Sequence, residues 1–139
     1  MTRMLALPLA LILTAASLAL ASGFEPDTWT DADIYALILA LDLNGDVLHC
    51  PPSIAAPDTS CFVAPRDVAW TQIGLERLVT AASGFVWLEE WMHLGGGGVF
   101  LRPLLIIGSP EKMLLLAVVP IGHPGPIETL VVVTMLPED

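Results

Sequence analysis

The sequence predicts an α+β domain, a two-layer sandwich with two N-terminal helices packed on a C-terminal four-stranded antiparallel meander. Three observations predict it. Residues 85–135 hold most of the large aliphatic side chains outside the N-terminus, in short runs rich in β-branched residues. Gly- and Pro-rich connectors separate these runs, and they are too short for the crossover that a parallel pair needs. Upstream, two segments carry apolar residues at helical spacing between capping residues.

In chain order, Arg3 precedes an apolar run from Leu5 through Leu20 that closes on Ala19-Leu20-Ala21, a small-residue cleavage pattern. The expectation is a signal peptide over residues 1–21 and a single α+β domain over 22–139. An uncleaved membrane anchor is the alternative, since the run is close to the lower limit for a span. Pro8 and the small residues before Ser22 favour cleavage, and with it a secreted or periplasmic protein.

After a short lead with Pro26, Thr30 is a good N-cap, and Asp31 and Asp33 sit where the helix dipole favours negative charge. Ile34, Leu37, Ile38 and Leu41 recur at i, i+3, i+4 and i+7, one apolar face. Asn44-Gly45 supplies a left-handed stop. The same pair could be a hairpin tip joining 39–43 to 47–50, but cap and spacing agree on the helix.

Cys50 and Cys61 are the two cysteines of the chain. In an exported protein they are most simply a disulfide, stapling a loop that contains Pro51, Pro52 and Pro57. Cys61 to Ala64 reads as a short extended piece. A second helix is expected over residues 66–83, closed by Gly84. Its inner side is Val68, Leu75, Leu78, Val79 and Ala82, with Glu76 and Arg77 outward. Gly74 inside it is expected to permit close approach of another backbone, at about 1 kcal/mol of helix propensity.

Four strands follow, at residues 85–92, 99–107, 113–119 and 127–135. Residues 104–107 and 114–119 are apolar at consecutive positions, so those strands are expected at the centre, covered on both faces. Glu89, Glu90, Glu128 and Thr129 mark the first and last strands as edges. Pro103 implies a bulge or an outward-facing backbone position. Two-layer α+β outlines of this kind occur in cystatin-like folds, an analogy of element order alone.

The chemistry-bearing residues form few constellations. Fifteen Asp and Glu stand against five Lys and Arg, a net charge of −10. That balance repels phosphate backbones and excludes direct nucleic-acid binding. His49, His93 and His123 could join the cysteines in a soft metal site, but no CxxC or HxxxH spacing supports one, and a disulfide consumes both thiolates. No metal and no other cofactor is expected. Asp42, Asn44 and Asp46 alternate like the start of a calcium loop, yet the glycine comes fourth instead of sixth and the twelfth residue is Ser53. No serine lies in a GxSxG elbow. Glu89 and Glu90 are adjacent and point to opposite faces of a strand, so they cannot act across one bond. The four glycines at 95–98 precede a strand, where a phosphate loop needs a helix.

Trp87 and Trp91, four apart in one strand, share a face. With Arg102 they are the candidate binding residues. If the two indoles are buried they fill the helix–sheet interface; if exposed they form an anchor for a protein partner. The expected function is therefore a small exported non-catalytic domain binding another envelope or extracellular protein, or itself, through an apolar sheet face. A carrier of a small hydrophobic ligand held between helices and sheet is the alternative, and a hydrolytic enzyme the third reading.

Overall fold

The computed structural model describes residues 29–95, 97–108, 110–122 and 127–137. The segment 1–21 expected as a signal peptide, and His123, lie outside the described residues. Within them the fold is α+β and rich in sheet: two helices and one antiparallel sheet of seven strands.

Helix α1 is Asp31–Asp42. Thr30 Oγ1 accepts from the Asp33 amide (3.3 Å), and Asp33 Oδ2 accepts from the Thr30 amide (2.9 Å). This reciprocal box satisfies two otherwise orphaned donors. At the other end Asn44 takes a positive φ of 55°. The Gly45 amide then reaches Ala40 O (2.7 Å) and the Asn44 amide Leu41 O (3.4 Å), the paired bonds of a Schellman stop. The Asn-Gly pair ends a helix and is not a hairpin tip. The buried side of α1 is Ala32, Ala36, Leu39, Ala40 and Leu43, with Leu37 beside it, while Ile34, Ile38 and Leu41 are half-buried. The alanine stripe faces inward because it lets the helix settle close on the sheet.

Strand β1 (Asp46–Leu48) pairs antiparallel with β2 (Thr59–Ala64). The connector between them is closed by the Cys50–Cys61 disulfide, with a Cα–Cα distance of 5.1 Å. Gly45 is required where β1 begins: a Cβ there would stand 2.7 Å from Val63 O.

Helix α2 is Val68–Ala81, two residues shorter at each end than expected. Asp67 caps it, accepting from the Trp70 amide (2.9 Å), and Thr71 Oγ1 donates back to Asp67 O (2.8 Å). Thr71, Leu75 and Val79 are its buried residues. Gly74 does serve a close approach, although the neighbour is the Leu43 side chain: a Cβ would lie 2.5 Å from Leu43 Cδ2.

The remaining strands are β3 (Phe85–Trp87), β4 (Met92–Leu94), β5 (Val99–Ile106), β6 (Lys112–Ile121) and β7 (Glu128–Met135). The order across the sheet is β1-β2-β7-β6-β5-β3, with β4 also paired to β5. The meander from β3 to β7 thus has the expected neighbours. Three features differ from the expectation of two N-terminal helices on four strands. The second helix lies in sequence between β2 and β3. The last strand is interior, because β2 pairs with it over six residues. Its Thr129 is fully buried and donates to Arg66 O (2.8 Å). Finally, the expected first strand is broken: β3 pairs with residues 104–106 of β5 and β4 with 99–101, leaving residues 88–91 as a bulge.

Pro103 sits opposite that break. Its carbonyl accepts from the Leu88 amide (3.2 Å), and a residue's N–H and C=O point to the same neighbour in an antiparallel ladder. The missing donor therefore faces the interruption, where no partner needs it.

Candidate binding surface

Strand alternation divides the sheet into two faces. One face, from Phe62, Leu104, Ile106, Leu114, Leu116, Val118, Val131 and Val133, meets Leu75 and Val79 of α2 and the inner side of α1 in the main core. No described helix packs on the other face. It is built of cross-strand rows that the register fixes. The central row runs Met92, Leu101, Ala117, Val132, Cys61, Leu48. Beside it Pro103 and Leu115 meet Thr134 and Thr59, and beyond those Val86, Leu105 and Met113.

Toward β1 this face is closed in by Leu48 and the disulfide, and Cys61, Leu130 and Val132 are buried there. Toward β3 and β4 no described element covers it. Val86, Met92, Leu94 and Met113 are 43, 43, 49 and 36% exposed. Leu101, Leu105, Leu115 and Val119 are half-exposed between them. Charged side chains at register positions on this face are Asp46 and Glu128, both at its margin.

Trp87, Trp91 and Arg102 come together, but under the helix layer. Trp87 lies opposite Leu104, so its indole points toward α2. The break after β3 replaces the simple four-residue strand spacing, and the two rings meet at 5.8 Å and 53°. Both are half-buried. The Arg102 guanidinium stands 4.3 Å over the Trp87 ring and is 8% exposed as a residue. Its Nε donates to the Glu89 carbonyl in the bulge. Nη1 donates to Glu76 Oε1 (3.1 Å), which also accepts from Trp91 Nε1 (3.0 Å). Nη2 is 3.9 Å from the exposed Glu90. Glu76, expected to face outward, instead reaches from the middle of α2 to Arg102 of β5 and Trp91 at the bulge. Sequence reasoning missed it because its partners are 15 and 26 residues away. Among the described residues, Trp87 Nε1 and Trp29 Nε1 are buried without a hydrogen-bond partner.

Other candidates take plain positions. His93 stacks on Phe100 at 4.8 Å. Asn44 belongs to the stop of α1. Among the described residues no group of three or more His, Cys, Asp or Glu side chains could hold a metal ion. Gly95 and Gly98 have positive φ (59° and 73°) in the turn between β4 and β5. A cleft of about 220 Å³ opens between α1 and the disulfide loop, lined by Asp33, His49, Cys50, Ala55 and Thr59. Burial of Tyr35 pushes its hydroxyl above the ordinary tyrosine range, with Lys112 opposing and Asp31 adding to the shift.

The arrangement offers an apolar plane with a braced margin. The disulfide is consistent with an extracellular or periplasmic location. No protein family, curated protein or solved structure matches the chain.

Proposed function

We propose that this is an exported, non-catalytic domain that works by binding protein through the open face of its sheet, in the envelope or outside the cell. The bare apolar plane between β3 and β6 is the observation that carries the reading. A contiguous patch of large aliphatic side chains on a chain of net charge −10 is a costly surface to leave in water. In this reading Trp87, Trp91 and Arg102 act from beneath. By holding the Glu89 carbonyl, Arg102 sets the course of the bulge between Val86 and Met92, two residues of the binding plane. The helix–sheet interface is filled by Phe62, Leu75, Leu104, Leu114 and Leu116, all essentially inaccessible, which favours the binding surface over the carrier of a hydrophobic ligand.

The test is site-specific photo-crosslinking in cells that export the protein. A crosslinker at Met92 should give discrete protein adducts, and one at Ile73, exposed on α2, should not. Equal adduct yields from both positions, or none from Met92, refute the reading.

A further inference from the structure

Resting on that reading, we infer that the chain closes the open face with its own N-terminal apolar run, residues 5–20, until that run is removed. In the uncleaved chain the site is covered. Hydrolysis of the Ala21–Ser22 bond by a signal peptidase takes up one water, releases residues 1–21 and opens the site to a partner. Three observations single out this occupant.

The first is size. With the buried Leu130 and Val132 of β7 left aside, the open strip runs over β6, β5 and the β3–β4 edge. It is ~10 Å wide between its outer strands and ~27 Å long from Met113 to Ile121, by standard strand spacing and rise. Some ~270 Å² per copy falls well short of an interface between two sheets. It is the footprint of one helix. Leu5 to Leu20 is sixteen residues without a charge, seven of them leucine and five alanine, both strong helix formers. As a helix such a run is ~24 Å long and ~10 Å across. Leu5, Leu9, Ile12, Leu13, Ala16 and Leu20 then share one face, apolar against the apolar strip.

The second is reach. Helix α1 begins beside one end of the strip, because Asp31 accepts from Lys112 Nζ (2.7 Å) and Lys112 opens β6 immediately before Met113. The eight residues 21–28 join the run to Trp29. Extended, they span up to ~28 Å, and passing from the helix layer to the other face takes ~20 Å at ~10 Å per layer. Gly23 and Pro26 keep this connector from continuing a helix. A tether of that length presents the run at a local concentration on the order of millimolar, which a second copy or a separate partner has to exceed.

The third is charge. A run that enters at Met113 ends near Ile121, whose neighbour across the ladder is Glu128. With Asp46, Glu128 is the charged side chain at the margin of this face, and Arg3 stands two residues beyond the run. One cation meets one anion at the far end, which fixes the direction in which the run lies.

The experiment uses the full chain, synthesised without export so that the run stays attached. A photo-crosslinker at Met113 should join the face to residues 5–20 of the same chain, mapped by peptic digestion and mass spectrometry, and one at Ile73 on α2 should not. Leu9→Glu combined with Leu13→Glu should abolish that cross-link and switch on binding of an apolar dye, with the circular dichroism of the sheet retained. Arg3→Glu should lower the cross-link yield about two- to fivefold, the range of an exposed ion pair, and Glu128→Arg added to it should restore the yield. This charge swap carries the test if the double leucine variant does not fold. No cross-link to residues 5–20, equal yields from Met113 and Ile73, cross-links only between copies, or a charge swap without rescue overturns the inference. The two readings fail separately. Protein adducts from Met92 in exporting cells, without a cross-link to the run in the full chain, overturn the cover and leave the binding surface; a cross-linked run with no Met92 adducts supports the cover and removes the binding surface.

Discussion

Replacing Arg102 with methionine keeps the aliphatic stem of a buried side chain and deletes the guanidinium. Three contacts disappear: the bond to the Glu89 carbonyl, the ion pair with Glu76 at 3.1 Å, and the stack on Trp87 at 4.3 Å. A charged hydrogen bond in a protein is worth about 1.5–3 kcal/mol and a desolvated cation–π contact up to about 2 kcal/mol, and contacts sharing one group do not add. Opposing this is recovery of the guanidinium's desolvation cost. The Glu76 side chain is 42% exposed, so the orphaned carboxylate can rehydrate and does not impose the full penalty of a buried lone charge. The net expectation is a loss of about 2–3 kcal/mol for Arg102→Met, and about 1–2 kcal/mol more for Arg102→Ala, which also removes the packed stem. Glu90→Gln should change stability by less than about 0.5 kcal/mol, because that partner is solvated and 3.9 Å away. Urea unfolding at equal m-value measures all three. A value for Arg102→Met within about 0.5 kcal/mol of the parent would refute the claim that this residue holds the bulge in place.

Three further outcomes are expected. Cys61→Ser should lower stability by about 2–3 kcal/mol in thermal or urea unfolding, from the entropy of a loop 11 residues long. Gly45→Ala should cost more than about 2 kcal/mol by the same measurement, since its methyl would meet the Val63 carbonyl at 2.7 Å, a backbone atom that cannot rotate away. Tyr35→Phe should flatten the alkaline limb of the stability curve. The folded-state pKa of Tyr35 is raised, so its contribution is fully present below the ordinary tyrosine value and is lost as pH rises toward the folded value. Unchanged steepness of that limb in the phenylalanine variant would count against burial as the cause.

What the sequence made legible was local. Thr30 and Asp33 announce the start of α1 through side-chain bonds reaching only three residues, and Asn44 its end through a left-handed backbone turn. The four C-terminal runs announce themselves because glycine and proline interrupt β-branched stretches. The disulfide follows from there being two cysteines. What stayed hidden depended on partners distant in sequence. Asp46–Leu48 is a three-residue strand, too short for an alternation signal, and becomes a strand because β2 offers a free edge; the expected strand over 85–92 was legible, but not the break that splits it into Phe85–Trp87 and Met92–Leu94. The inward side of α1 could not be read from the larger apolar residues, since proximity to the sheet selected the alanines. Glu76 looked solvent-facing on a helical wheel, and only the fold brings it to Arg102. Consecutive apolar positions in β5 and β6 marked central strands greasy on both sides, but the expected cover on both faces is met on one only by the described helices.

The margins of the sheet have a bearing on assembly. Each outermost strand is three residues long, one bordered by a cross-linked loop and the other broken by a bulge. Neither presents the long row of free amides and carbonyls along which chains polymerise. Growth sideways through backbone bonding therefore finds no template at the described edges, and fibre formation by that route is blocked.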